Sequence, residues 1–451
     1  MKYFFETYGC QMNVSESNGI EVVLKKRGWQ ASETVETADL VIINTCSVRI
    51  TAEQRVFGRL GFFSGLKKKT GIKILVIGCM AERLKQDLKE DFPFVDFVVG
   101  VSERAKLENI FSMLEVDTSN THNRMSILDK NVSLKEKYLF SDVSYKEGDF
   151  QSFVPIMNGC NNFCTYCIVP HVRGREISRN VQEILDEVEF LSKNGVKEIT
   201  LLGQNVNSYL GTYNGNTIDF PTLLQMICRK SEETNSIQWI RFLSSHPKDL
   251  SMKLIEVIAR EKKVCKSIHL PVQHGSNGIL KAMNRKYTRE HYIELVRCLR
   301  ERIPDIVIST DILIGFPGET EADVEATLSL IEDVQFDSSF MYHYNPREGT
   351  KAYDLPNRIP EPVKIERLTR VINLQQQITE KKLRLLLEKQ AGKPIRVLVE
   401  SVSKKNKQEY FGHTEGSEMV VIKNCDSHNI GQFVDVKLES ISGKTLVGLL
   451  M

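Results

Sequence analysis

Gly159-Cys160-Asn161-Asn162-Phe163-Cys164-Thr165-Tyr166-Cys167 decides how the rest of the chain is read. Its three cysteines have three and then two residues between them, and they follow a short apolar run, Phe153-Val154-Pro155-Ile156-Met157. The run reads as a strand, and the cysteines open the loop after it. So tight a loop turns three thiolates toward one point. Three thiolates can hold three irons of a [4Fe–4S] cluster and leave the fourth iron open to a ligand from solution. On spacing alone, two other readings stay open. One is zinc, with His171 as the fourth ligand. The other is a thiol–disulfide pair, Cys164 with Cys167, which a reducing compartment disfavours.

The chain has 451 residues, too many for one ordinary domain; two or three are expected. Its hydrophobic content of 41% is enough for real cores, and its net charge of +2 places any nucleic-acid signal in local segments. No apolar run reaches membrane-spanning length, and Met1-Lys2-Tyr3-Phe4-Phe5-Glu6 is not a secretory signal. A cytoplasmic protein with no membrane partner is expected. Its ten cysteines then stay reduced, which favours metal binding or catalysis over disulfides.

Residues 1–117 repeat a strand–helix pattern. Strands are predicted at Lys2 to Thr7, Asp39 to Asn44 and Ile72 to Ile77, each running into a cysteine: Cys10, Cys46 and Cys79. A fourth strand is predicted at Val95 to Val99. Helices are predicted at 15–28, 48–68 and 80–90, with another from Ser102. This alternation implies a doubly wound parallel α/β sheet. The cysteine spacings, 36 and 33 residues, are each about one βα unit. All three thiols should therefore lie in adjacent loops at the carboxyl edge, where such sheets bind ligands. One such cysteine would be read as buried packing; three at the same structural position point to a second metal site. Residues 118–145 are polar and read as a linker, with a short strand around Tyr138-Leu139-Phe140.

Residues 146–380 resume the alternation. Strands are predicted at 153–157, 198–202, 238–243, 267–270, 306–311 and 338–342. Helices are predicted at 181–193, 222–230, 250–260, 288–301 and 321–333. Six βα units in line predict a partial (β/α)6 barrel with its site at the carboxyl ends of the strands. The turns there are polar and glycine-rich: Gly203-Gln204-Asn205, Ser244-Ser245-His246-Pro247, Pro271-Val272-Gln273-His274-Gly275-Ser276 and Gly315-Phe316-Pro317-Gly318-Glu319-Thr320. Together with the cysteine loop they outline a cofactor pocket. His246, His269, His274 and His343 are read as packed or hydrogen-bonded, and Cys228, Cys265 and Cys298 as core.

A long helix is predicted from Pro362 to Lys389. Between Pro362 and Lys407 there are 12 Lys/Arg against 4 Asp/Glu, either a solvated face or an RNA contact. Residues 381–451 otherwise read as short strands at 395–399, 419–422, 433–438 and 445–449, forming a small antiparallel, OB-like barrel of a kind that binds RNA.

Taken together, Thr7-Tyr8-Gly9-Cys10-Gln11-Met12-Asn13, Asn44-Thr45-Cys46-Ser47-Val48-Arg49, Gly78-Cys79-Met80-Ala81-Glu82-Arg83 and the stretch through Ile168-Val169-Pro170 resemble the radical S-adenosylmethionine (SAM) methylthiotransferases over essentially all 451 residues. C-x3-C-x2-C is that superfamily's cluster motif. Gln11-Met12-Asn13 matches the MiaB-type tRNA branch. The ribosomal-protein branch usually reads Pro-Lys-Asn there, and the threonylcarbamoyl-adenosine branch Lys-Val-Asn. The resemblance implies a methylthiotransferase amino-terminal domain (1–117), a radical-SAM core (146–380) and a carboxyl-terminal TRAM barrel (381–451).

The resemblance further implies that Cys160, Cys164 and Cys167 hold the SAM-cleaving [4Fe–4S] cluster and that Cys10, Cys46 and Cys79 hold an auxiliary one. Gly203, Gln204, Gln273 and Asp311 are expected SAM contacts. One SAM methylates a sulfur on the auxiliary cluster. A second, reduced by one electron, gives a 5′-deoxyadenosyl radical that takes hydrogen from C2 of N6-isopentenyladenosine beside a tRNA anticodon. The implied partners are the anticodon stem-loop and a one-electron reductant such as flavodoxin or ferredoxin, with the protein a monomer. The alternative substrates are another tRNA adenosine or a ribosomal protein side chain. A zinc-bound RNA-binding protein and an electron-transfer protein are the rivals from other classes. The family usually places arginines near His413 and Glu418, and this chain does not. That shifts the expected RNA contact from the loop Tyr410 to Glu418 toward the long helix and Lys404-Lys405-Asn406-Lys407.

Overall fold

A computed structural model describes residues 1–47, 50–116, 145–403 and 406–451. The expected linker up to residue 144 with its short strand, and Lys404 and Lys405, lie outside the described residues.

The first unit is a five-stranded parallel sheet: β1 (Lys2–Thr7), β2 (Gln30–Ala31), β3 (Leu40–Thr45), β4 (Lys73–Gly78) and β5 (Phe97–Val99), in the order β2-β1-β3-β4-β5. Alternate residues of β3 face opposite ways. Leu40 and Ile42 pack with helices α1 (Gln11–Lys26) and α5 (Lys106–Glu115). Val41 and Ile43 pack with α2 (Ile50–Thr70), α3 (Cys79–Arg83) and α4 (Lys85–Asp91). The order reverses between β1 and β3, and a doubly wound sheet opens its ligand crevice at that point. Cys10 and Cys46 stand directly after these two strands. The two-residue β2 was not expected from the sequence.

The core has six parallel strands: β6 (Gln151–Pro155), β9 (Glu198–Leu202), β12 (Trp239–Phe242), β13 (Ser267–His269), β14 (Val307–Ile314) and β15 (Ser338–His343). They form two three-stranded sheets, linked by a parallel bridge from Ile240 to Val264. Helices α7 (Val181–Lys193), α8 (Phe220–Glu232), α9 (Met252–Arg260), α11 (Arg289–Arg302) and α12 (Glu321–Val334) cover the outside, and the short α10 (Asn277–Ala282) follows β13. Their apolar faces share one core with Val154, Ile199, Ile240, Ile308 and Ile312. The result is an open (β/α)6 barrel with β6 and β15 as its edges. Two short pairings decorate it: β7 (Met157–Asn158) with β8 (Ile177–Ser178), and the hairpin of β10 (Leu210–Tyr213) and β11 (Asn216–Asp219).

Helix α13 (Glu361–Lys389) packs on β15 and carries the chain into a closed five-stranded barrel. Its strands are β16 (Pro394–Val402), β17 (Tyr410–Thr414), β18 (Met419–Lys423), β19 (Phe433–Ser442) and β20 (Thr445–Leu450), in the order β16-β17-β18-β20-β19. Two expectations are corrected here. Tyr410 to Thr414, read as part of a loop, is strand β17. The barrel is not wholly antiparallel, because β18 and β20 pair in parallel.

The barrel docks at the amino ends of the core strands. Arg241 donates to the carbonyls of Thr414 (2.9 Å) and Glu415 (2.6 Å) and to Ser417 (2.8 Å). His413 lies between Glu198 of the core (2.9 Å) and Glu400 of the barrel (2.8 Å). Leu398 packs with Trp239 and Cys265. Thus the stretch Tyr410 to Glu418 is occupied by domain docking. Half of the twelve cations of the basic run, Lys364, Arg367, Arg370, Lys382, Arg384 and Lys389, pair with carboxylates.

Candidate active site

The cysteine loop leaves the carboxyl end of β6 and is closed at its base by the β7–β8 pair. Gly159 turns it with φ +80°, and a methyl group there would meet the Arg175 carbonyl at 2.0 Å. Glycine at this position is therefore required by backbone packing. The Cys160 amide bonds the Gly174 carbonyl (3.1 Å), and the Cys167 amide bonds that of Cys164 (2.9 Å). From the far side, Asn284 donates to the carbonyls of Asn162 (3.2 Å) and Phe163 (2.9 Å). The Thr165 amide reaches the Met283 carbonyl (3.1 Å).

Arg285 lies against this loop. Its guanidinium is buried, with Nη1 3.4 Å from Cys164 Sγ. Burial and the neighbouring thiols push the Cys167 thiol up to about 12. As a free side chain it would stay protonated, whereas a metal centre takes such a group as thiolate. No carboxylate partners Arg285 among the described residues; its contacts are Tyr287, the Pro271 carbonyl and Cys164. A buried cation without a carboxylate fits a site that carries negative charge when loaded, as a thiolate-bound iron–sulfur cluster does.

Cys10, Cys46 and Cys79 also converge at one sheet edge. Gly9 lies so close to Cys46 that an added methyl would be 2.5 Å from its Cβ. Cys10 Sγ bonds Asn13 Oδ1 (3.2 Å), and Asn13 in turn bonds the Thr45 carbonyl and Asn44. Burial pushes the Cys79 thiol up to about 11, while the charge of Arg173 pulls it down. Arg173 belongs to the core helix α6 (Val169–Arg173), directly after the other cysteine loop. It donates to Glu16 of α1 (2.8 Å) and to Asn158 (3.1 Å), and its Nη2 is buried without a partner among the described residues. Cys79 itself packs with Val101, Ile168 and Val172. The elements that carry the two cysteine trios thus meet at a small apolar cluster and one buried ion pair. A second clamp joins Arg347 beyond β15 to Glu53 of α2 (3.0 Å).

Among the described residues, no three His, Cys, Asp or Glu side chains sit close enough to grip a single metal ion. A four-iron cube holds its ligands farther apart than one ion does. His171, the zinc alternative's fourth ligand, is exposed on α6.

The four expected SAM contacts are scattered along the strand ends. Gln204 uses its side-chain oxygen to accept from the Gly159 amide (2.5 Å), bracing the cysteine loop. Gly203 is held against Met157, whose Cγ would lie 2.4 Å from an added methyl. Gln273, with φ +69°, is buried and bridges β14 through its backbone. Asp311 is half-buried on β14 with His269 at 3.5 Å. The histidines have partners: His274 bonds Glu319 (3.1 Å), His343 approaches Glu361 (3.3 Å), and His246 packs against Tyr287. Cys228 and Cys265 are buried, whereas Cys298 is only half-buried. Arg285, Arg173 and Glu16 were missed by sequence reasoning. Their contacts span 121 and 157 residues, and no local spacing marks them.

Comparison with known proteins agrees with this geometry. Residues 154–331 match the radical SAM superfamily, 2–100 an uncharacterised protein family (UPF0004) and 388–450 the TRAM domain. The chain is 57% identical over 449 residues to the tRNA-2-methylthio-N(6)-dimethylallyladenosine synthase of Treponema denticola, covering 99% of both chains. It is 55% identical to the Treponema pallidum protein of the same name, covering 99% of this chain and 98% of that one. This chain belongs to that family. It is therefore a radical-SAM enzyme, and the zinc-bound and electron-transfer readings fall away. In fold it is similar to the radical SAM methyltransferase TsrM from Kitasatospora setae, solved with cobalamin and a [4Fe-4S] cluster bound. That likeness has a TM-score of 0.56 at 16% identity and covers 78% of this chain and 77% of that one. No helix among the described residues is long and apolar enough to cross a membrane.

Proposed function

We propose that this enzyme inserts a methylthio group at C2 of N6-isopentenyladenosine beside the anticodon of tRNA. The observation that carries this reading is the packing of Cys79, from one cysteine trio, against Ile168 and Val172, which directly follow the other. Cys160, Cys164 and Cys167 would hold one [4Fe–4S] cluster and Cys10, Cys46 and Cys79 the other, three thiolates to each. SAM and the two clusters supply the radical and sulfur chemistry, which acids and bases cannot perform on an aromatic C–H.

The chain's residues bind, orient and exclude water. Gln204, Asn284 and the Gly159 turn fix the first loop. The Glu16–Arg173 pair holds the second trio against it. Gly203, Gln204, Gln273 and Asp311 line the strand ends that receive SAM. An anticodon-loop base can be splayed into a pocket more readily than a paired one. A low-potential one-electron donor such as flavodoxin or ferredoxin serves the enzyme, which acts as a cytoplasmic monomer.

Mass analysis of tRNA nucleosides from a strain lacking the gene tests the substrate. The methylthio-isopentenyl nucleoside should vanish and its unthiolated precursor accumulate. Wild type should restore it, and Cys10→Ala or Cys160→Ala should not. Loss of a different methylthio modification, with the isopentenyl one intact, would overturn the proposal.

A further inference from the structure

We propose that Arg285 sets the reduction potential of the centre held by Cys160, Cys164 and Cys167, through a charge-assisted hydrogen bond to Cys164 Sγ. This rests on reading those cysteines as cluster ligands. The donor is Nη1, 3.4 Å from the sulfur. The other two faces of the fork are fixed, with Nε 2.9 Å from the Tyr287 hydroxyl and Nη2 2.8 Å from the Pro271 carbonyl. The Tyr287 hydroxyl is itself anchored to the Val272 carbonyl (2.8 Å). The guanidinium therefore cannot swing away from the sulfur.

Its charge is permanent, because arginine does not lose its proton in proteins. Only 5% of the residue is exposed, and among the described residues no carboxylate pairs with it. Its electrostatic influence is directed at the thiolate and whatever the thiolate binds. Holding the loop in shape already falls to neighbouring groups, namely Asn284 and the carbonyls of Met283 and Ala282. What the Arg285 side chain adds is a positive charge at a sulfur.

Reduction adds one electron, from a low-potential one-electron donor, to a centre already anionic. No bond breaks and no proton moves. A fixed cation hydrogen-bonded to a ligating sulfur stabilises the added charge and raises the potential, as sulfur hydrogen bonds do in iron–sulfur proteins. Arg285 thereby decides which donors are strong enough to start the reaction.

The test uses the full chain with Cys10, Cys46 and Cys79 replaced by Ala, so that one centre remains. Its midpoint potential is measured by anaerobic redox titration followed by electron paramagnetic resonance, with Arg285 intact, as Arg285→Met and as Arg285→Lys. Arg285→Met should keep its iron and shift the reduction equilibrium at least tenfold toward the oxidised form, about 59 mV for one electron. Arg285→Lys, which keeps the charge, should fall between the two. Equal potentials with full iron would overturn the inference. Loss of iron from both variants would overturn it too, making Arg285 a scaffold of the loop. A parent without iron would instead refute the ligand assignment beneath it.

Discussion

Glu16 shows how one side chain can join two domains. It is buried between Arg104 of its own domain and Arg173 of the core, and those two cations hold its carboxyl down to about 2 despite burial. Its folded value lies below the ordinary value of 4.5, so its stabilisation is complete above that pH and is lost as pH falls through about 2. Glu16→Gln leaves the buried Arg173 and the half-buried Arg104 without their carboxylate and should cost about 3–5 kcal/mol, read from urea unfolding at neutral pH. A loss below about 0.5 kcal/mol, the range of ordinary surface substitutions, would mean the pair does not hold the two domains together.

At the scale of elements, the junction of β9, β16 and β17 titrates in the opposite sense. Glu198 and Glu400 raise His413 to about 9 although burial opposes its charge. The cation also shares its surroundings with Arg241, and Gln151 bonds both carboxylates. A folded value above 6.5 gives a contribution fully present below that pH and lost as pH rises through about 9. Trp239 lies 5.5 Å from the His413 ring. Its fluorescence should therefore change near pH 9 in wild type and stay flat in His413→Gln; the same transition in both would remove His413 from the latch. The sequence revealed part of this architecture. Cys10, Cys46 and Cys79 were legible as one edge because each follows a strand of the βα repeat, and Cys160, Cys164 and Cys167 because their spacing puts them in one loop. Strand β17 was not, because Gly412 interrupts its apolar pattern; the glycine is required where an added methyl would meet the Leu398 carbonyl at 2.3 Å. The β10–β11 hairpin carried a readable signal in Asn214-Gly215, a turn with both residues at positive φ. Some ion pairs of the basic run were not legible because the partner lies far away in sequence, as Asp305 does for Lys389.

Across the whole molecule, the first domain caps the carboxyl ends of the core strands and the small barrel closes the amino ends. Chemistry and docking are thus separated by the length of the strands. Arg241→Ala should loosen the barrel, seen as faster limited proteolysis of the chain after α13, without changing bound iron. Iron loss in that variant would show the two ends to be coupled. The central claim is that the two cysteine trios hold two independent clusters. Its most direct test is anaerobic iron and sulfide content after reconstitution, on wild type and on the triple variant Cys160→Ala/Cys164→Ala/Cys167→Ala. About eight irons in wild type and about four in the variant are expected, four per cluster. About four in wild type and none in the variant would leave Cys10, Cys46 and Cys79 without a cluster and contradict the account.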